Sequence, residues 1–391
     1  MKKIFYYLLV ATLVFSCDDD DEVKLNELTV KITCGKTITN YSTFHVILTE
    51  LKTNQKHEKF CDENGHATFN LPAGAYNIVA ENLVNGVSTF YGRNENYTLS
   101  EKSAAIDINV ENITKALDQT FVLDELYFNG AKNGKYNYTM YEQYFTIRNI
   151  SDRPLYADGL CFGVAGDHSC VEAFNEMSVF LPDEIIISQF YTIPGNGTDH
   201  IIQPNKSLVI AFSAINHNEN GDKPKSLDLS GADFEIYVEG GMTVDNPEVP
   251  NVFVDYSVFE AFHWQYSGTT PMILFQLDEN HKTFIANSKV NLCNPASIGT
   301  RKHDFLKLPK NLIIDAVETG CKEEFYRKVL PASIDKSNIL VDATMCESFK
   351  EQFVKRKETL NTNGEKVVMD TNDSAKDFIV DVGGQKNYPK K

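Results

Sequence analysis

Eight cysteines, nine histidines and 54 carboxylates are the side chains of this 391-residue chain that could do chemistry. Their spacing decides which chemistry is open to them. The tightest grouping is Cys161-Phe-Gly-Val-Ala-Gly-Asp-His168-Ser-Cys170, two thiols and an imidazole within ten residues. Structural zinc sites bring a closer CxxC spacing and a second ligand pair, so this stretch reads as a hairpin disulfide or free thiols, with His168 a loop residue. Asp370, Asn372, Asp373 and Asp377 place hard oxygens within eight residues, as a calcium loop could. The same residue types form successive Asx turns unaided, which is the preferred reading.

The aromatic run Phe259, Phe262, His263, Trp264 and Tyr266 holds the only Trp. Trp264 and Tyr266 are the candidate ligand-stacking pair, since exposed rings stack on sugars; buried, they would fill a core, and that competing reading is favoured. Tyr136, Tyr138, Tyr141 and Tyr144 pose the same choice between a stacking face and cross-strand packing. Asp373-Ser374-Ala375 is similar to a short O-glycosylation signal. No GxSxG, HExxH, GxGxxG, P-loop or EF-hand pattern occurs in the sequence. No catalytic residue, metal ligand or cofactor is therefore assigned.

The N-terminus carries the clearest signal. Lys2 and Lys3 precede an apolar run from Ile4 to Phe15, and Ser16 and Cys17 follow. The run is shorter than the roughly 20 residues a spanning helix needs, so residues 1–16 read as a signal peptide. Leu13-Val-Phe-Ser-Cys17 resembles a lipobox, with Phe15 where a smaller residue is commoner, which makes Cys17 the expected lipidation site. Two or three acyl chains hold a protein stably where one gives only marginal binding. Asp18 to Glu22 make residues 17–23 a lipidated acidic tether, and such a tract resembles the signal that sends some lipoproteins to the outer face of the outer membrane. The expected location is the outer membrane, lipid-anchored and facing the exterior.

Removing residues 1–16 takes away two Lys and no acid, so the formal charge of -17 becomes -19, which disfavours nucleic acid as a partner. An apolar content of 42% over 391 residues allows two proper cores. With Cys17 lipidated, sequence neighbours make Cys34 with Cys61, Cys161 with Cys170, and Cys321 with Cys346 the candidate disulfides, leaving Cys293 over. Spacing does not fix the connectivity.

The elements that would position these residues are strands. Leu28–Ile32, Phe44–Leu48, His66–Leu71 and Tyr76–Ala80 alternate apolar and polar residues, with turns at Asp62-Glu-Asn-Gly65 and Pro72-Ala-Gly74. The run Gly65 to Ala80 resembles a carboxypeptidase-regulatory-like, prealbumin-type β-sandwich, which implies a spacer or docking module over residues 24–112. Further on, Phe121-Val-Leu-Asp-Glu-Leu-Tyr-Phe128, Glu142-Gln-Tyr-Phe-Thr-Ile-Arg148, Leu155-Tyr-Ala-Asp-Gly-Leu160 and Asp370–Phe378 resemble lamin-tail-like, immunoglobulin-type sandwiches, with Thr146 and Arg148 replacing the usual Glu and Tyr. That implies a lamin-tail-like β domain over residues 118–391 with long insertions, those between Cys161 and Ile285 being the expected binding surface.

Together these pieces resemble a family of uncharacterised bacterial surface lipoproteins, in which a small sandwich precedes a larger lamin-tail-like domain. The expected fold class is all-β. The expected function is a non-catalytic binding or accessory module held on the membrane by its lipid, with an outer-membrane β-barrel nutrient transporter as one candidate partner. The rival readings are a glycan hydrolase using carboxylates in the 161–285 insertions, and a structural or adhesive surface protein.

Overall fold

Strands that bury every second residue need one covered face, and the N-terminal strands do this in register. β1 (Leu25–Cys34) pairs antiparallel with β4 (His66–Pro72), setting Leu28 opposite Phe69 and Val30 opposite Ala67, all buried. β2 (Phe44–Glu50) buries Phe44, Val46 and Leu48 and pairs with β3 (Lys56–Phe60). With β5 (Gly74–Val84), β6 (Val87–Leu99) and β7 (Ser103–Asn112) they run in the order β3-β2-β5-β6-β7-β1-β4. Two of the expected details form as read. Tyr76 is fully buried, its hydroxyl donating to the Pro72 carbonyl at 2.9 Å. Gly65 ends the Asp62 turn at φ 86°, where a side chain would be strained and would press on the Tyr41 ring.

The computed structural model describes residues 24–35, 38–84, 87–112, 121–135, 138–139, 141–151, 153–169, 176–258, 264–293, 301–321, 327–342, 349–360 and 366–382. By contact the chain divides into two compact units, Met1–Ala80 with Arg93–Asn109, and Glu81–Gly92 with Val110–Lys391.

In the second unit, one six-stranded sheet runs Phe234–Glu235, Ser207–Ala211, Tyr144–Asn149, Phe121–Tyr127, Gln352–Arg356, Phe378–Val382. The other runs Lys289–Cys293, Lys302–Pro309, Glu184–Thr192, Cys161–Ala165, Met272–Phe275, Ile313–Val317, with Phe253–Ser257 paired on Glu184–Thr192. Phe145, Ile147, Leu208 and Val354 of the first sheet share a core with Phe162, Tyr191, Met272 and Leu274 of the second. The all-β expectation is borne out.

Both sheets are also covered on their outer faces. Every residue of Cys161–Ala165 and of Met272–Phe275 is buried, which is why these strands read as continuous apolar runs rather than alternating ones. Phe284, from the helix His281–Ser288, joins Phe190, Phe275 and Leu330 on the outside of the second sheet. On the outside of the first, Leu227, Leu229, Ala232 and Val249 pack against Tyr127, Tyr144 and Phe353. Much of the sequence beyond a minimal sandwich is thus spent on cover. Glu235 fastens it, its carboxylate accepting from the backbone N–H of Ala214 at 2.9 Å and of Asn246 at 2.6 Å.

Candidate functional site

The candidate stacking pair is structural. Trp264 is 2% exposed, and its indole lies among the rings of Phe128 at 5.4 Å, Phe212 at 5.9 Å and Phe145 at 6.4 Å. Gly268 lets its loop settle there, since at φ 71° a Cβ would meet the Phe128 ring at 2.5 Å. Tyr266 packs on Phe349 at 4.7 Å, its hydroxyl accepts from the Tyr141 N–H at 2.9 Å, and burial pushes that phenol up to about 12. The energy of burying a large apolar ring explains the outcome, because nothing in the local spacing asks for exposure. Of the Tyr set, Tyr144 stacks on Tyr127 at 5.6 Å and bonds Glu125, and Tyr141 reaches the sulfur of Met242 at 3.0 Å. Tyr136, and the side chain of Tyr138, lie outside the described residues.

The expected Cys34–Cys61 disulfide is not made, and both residues are free thiols. Cys34 ends β1, whereas the Cys61 N–H bonds the Phe44 carbonyl at 2.9 Å, so the two follow different strands despite their closeness in sequence. Cys161 is likewise a free thiol buried in its strand, and Cys170 lies outside the described residues. Cys321 is buried, and Cys346 also lies outside them, as does Cys17. Cys293 is a half-buried free thiol. His168 is a loop residue, as expected, and is buried there, its Nδ1 3.5 Å from the Thr269 hydroxyl.

The carboxylate loop near the C-terminus is occupied by the protein's own cation. Arg356, 2% exposed, pairs with Asp315 at 2.7 Å, Asp370 at 3.3 Å and Asp377 at 3.6 Å. Asp377 meanwhile ties the loop, accepting from the Thr371 N–H at 2.7 Å and the Asp373 N–H at 3.2 Å. The expected chain of Asx turns is not what ties this loop: Asp377 binds N–H groups earlier in the chain, and the guanidinium accounts for the charge. Ser374 is 2% exposed with its hydroxyl donating to Asp335 at 2.6 Å, so the O-glycosylation reading fails for the folded chain. Among the described residues, no group of three or more His, Cys, Asp or Glu could hold a metal ion.

Sequence reasoning missed a polar cluster on the second sheet. The pairing of Phe253–Ser257 with Glu184–Thr192 slips between Phe190 and Tyr191, so that Tyr256 faces Phe190 while Val254 faces Tyr191. Asp255 sits unopposed at that bulge, a device that re-aims a side chain. Its carboxylate accepts from the Thr192 hydroxyl at 2.6 Å and takes His281 Nδ1 at 2.8 Å. Cys161 Sγ lies 3.3 Å from the same hydroxyl. His281 opens the helix, which Asn280 caps through Lys282 N–H at 3.0 Å.

These types suggest nucleophilic catalysis, but the order of contacts does not supply it. A nucleophile must give its proton to a base that an acid orients. Here Thr192 gives its proton to the acid, and Nδ1 rather than Nε2 faces the hydroxyl, at 3.5 Å. Burial pushes the Cys161 thiol up to about 12, so it stays protonated at neutral pH. The cluster anchors the strand and helix. The strand itself stays open: Phe253 is 58% exposed and Val254 43%, and among the described residues its only strand partner is Glu184–Thr192.

A family model described as "Protein of unknown function (DUF4876)" matches residues 203–383. The chain is similar to the crystal structure of a DUF4876 family protein from Bacteroides thetaiotaomicron VPI-5482, at 17% identity and a TM-score of 0.53 over 90% of this chain and 94% of that one. It is similar at 10% identity to a DUF3823 family protein from Parabacteroides merdae ATCC 43184, with a TM-score of 0.19 over 47% of this chain and 100% of that one. A leucine-rich repeat protein from Bacteroides thetaiotaomicron VPI-5482 matches at 12% identity and a TM-score of 0.22, over 48% of this chain and 25% of that one. No curated protein matches. The first two findings bear out the resemblance to a family of unknown function built on β-sandwiches.

Proposed function

We propose that the protein is a non-catalytic binding or accessory module, held on the outer membrane by lipid on Cys17, and that the strand Phe253–Ser257 is the edge that engages its partner. The observation that carries this is the exposure of Phe253 and Val254 on a strand whose outer backbone edge has no strand partner among the described residues. Native proteins blunt such edges, and apolar side chains left on one mark an interaction surface. Burying a Phe or Val fully is worth about 1.5–3 kcal/mol, so covering both half-exposed residues contributes about 2 kcal/mol in total. A partner strand would add main-chain hydrogen bonds. The ordered Asp255, Thr192 and His281 contacts keep the edge rigid, which lowers the cost of ordering it on binding.

The test is capture of partners from detergent-solubilised outer membrane by the lipidated chain, beside a Phe253→Ser, Val254→Ser double variant. An outer-membrane β-barrel transporter is the partner class sought first. Recovery by the parent and its loss from the variant is the expected result. Equal recovery by both sinks the assignment of the edge, and recovery of nothing by the parent sinks the binding role. Separately, Cys17→Ser should release the chain from the membrane, and protease should reach the domains on intact cells; protection there would place them in the periplasm.

A further inference from the structure

Behind the strand Ile313–Val317 lies a second buried set of charges, arranged differently from those around Arg356. Lys328, Glu318 and Asp335 have side chains 7%, 0% and 2% exposed. Lys328 Nζ stands 2.5 Å from Glu318 Oε2 and 3.7 Å from Asp335 Oδ2. Apolar Val329, Leu330 and Ile334 surround the loop that carries them and belong to one core with Ile273 and Ala316. Donors converge on both acids. Glu318 accepts from the N–H groups of Val329 at 2.9 Å and Leu330 at 2.8 Å. Asp335 accepts from the Glu318 N–H at 3.0 Å, the Ser374 N–H at 2.9 Å and the Ser374 hydroxyl at 2.6 Å.

We propose that Lys328 and Asp335 are the partners of an intramolecular isopeptide bond, Nζ to Cγ, formed with Glu318 as the proton relay. An amine, a carboxyl and a second carboxylate in a water-poor core are the reactants and the base this condensation needs. Holding the amine 3.7 Å from an Asp335 carboxyl oxygen makes the step intramolecular, which replaces an activating reagent. Two acids and one ammonium carry one negative charge too many for such a site, and burial holds the Asp335 carboxyl above the ordinary range, toward its protonated form.

The step balances without any outside reactant. The Lys328 ammonium passes one proton to the Glu318 carboxylate, freeing the Nζ lone pair. The amine attacks Cγ of protonated Asp335, and the C–N bond forms. The developing oxyanion is held by the Glu318 and Ser374 donors already aimed at the Asp335 oxygens. Glu318 hands its proton to the departing hydroxyl and takes one from the nitrogen, so the C–O bond breaks and water leaves. The products are a neutral amide, one water and protonated Glu318. Charge and atoms are conserved, and nothing is oxidised or reduced.

The measurement is the intact mass of the purified, folded full chain, followed by peptide mapping. The parent is expected to be lighter than its sequence by the mass of one water, with the peptides bearing Lys328 and Asp335 joined and tryptic cleavage after Lys328 lost. Glu318→Gln should restore the full mass and the cleavage, and Lys328→Arg should restore the full mass. A parent at its sequence mass, cleaved normally after Lys328, overturns the proposal, as does a lost water that maps elsewhere. A bond that persists in Glu318→Gln overturns the relay. The parent's own mass decides the main point even if a variant fails to fold.

Discussion

Replacing Arg356 by Leu should cost about 3–5 kcal/mol, the range for breaking a buried ion pair by removing one partner. The side chain makes three kinds of contact that Leu cannot. Its guanidinium faces Asp315, Asp370 and Asp377, whose side chains are 3%, 4% and 2% exposed. Its Nε donates to the Leu123 carbonyl at 2.7 Å and one terminal nitrogen to the Met369 carbonyl at 2.9 Å. Its plane lies over the Phe378 ring at 4.6 Å, the residue opposite it across the strand pair. Arg356→Lys should recover little, because a point charge cannot serve this fork of acceptors. Urea unfolding followed by Trp264 emission reads the right unit, since Trp264 is the only Trp and shares a core with Phe378. Lys355→Ala is the control: its partner Asp381 is 2.5 Å away but the two side chains are 36% and 45% exposed, so the loss should stay under about 1 kcal/mol. If Arg356→Leu costs no more than that control, the buried network does not hold the C-terminal strand and the reasoning is wrong.

Three further outcomes are expected. Burial lowers His217 from 6.5 to about 4, with its Nε2 3.2 Å from the Ser213 carbonyl. Because the folded value is depressed, the stability it protects is complete above the unfolded pKa and lost as pH falls from 6.5 toward 4. That loss is about 3 kcal/mol at most, read as a urea-midpoint change across that window that His217→Gln abolishes. Thiol labelling of the folded chain should modify Cys34 well before Cys61, whose thiol burial pushes up to about 11, and Cys34→Ser should leave the melting temperature unchanged; a drop of several degrees would mean a disulfide after all. Asp255→Asn should destabilise by about 1–3 kcal/mol, because one oxygen that accepted Thr192 or His281 becomes a donor; an unchanged midpoint would show that the bulge does not depend on them.

How much could be read in the sequence depended on whether the deciding contact was local. The alternation of Phe44–Leu48 and His66–Leu71, the turn at Asp62-Glu-Asn-Gly65 and the buried Tyr76 all rest on neighbours within a few residues, and all appear where the pattern placed them. The Cys34–Cys61 pair is not made because proximity in sequence says nothing of which strand edge each thiol follows. Asp255 and His281 are 26 residues apart, and Arg356 and Asp315 are 41 apart. No period links such residues, and the bulge that aims Asp255 leaves no mark on residue type. Glu318, Lys328 and Asp335 fall within one stretch, yet each alone reads as an ordinary surface charge.

Much of the 161–285 region covers the two sheets. Long loops in the 161–285 region suggested a binding surface, on the ground that insertions are cheap and often functional. A second possibility lay in the strands themselves. Sheets whose residues are apolar on both faces must be covered on both, and Cys161–Ala165 and Met272–Phe275 have no polar face to give to water. Leu227, Leu229, Ala232 and Val249 therefore cover the outside of the first sheet, and Phe284 with Leu330 that of the second. Once both faces are closed, a sandwich can meet a partner only through its cover, its ends or an open strand edge. Phe253 and Val254 lie on such an edge, next to a carboxylate that the fold has fixed in place. The edge strands Lys56–Phe60 and Phe378–Val382 also carry exposed apolar side chains, Phe60 on the one and Ile379 and Val382 on the other; what distinguishes Phe253–Ser257 is the bulge that fixes Asp255 against Thr192 and His281 beside Phe253 and Val254.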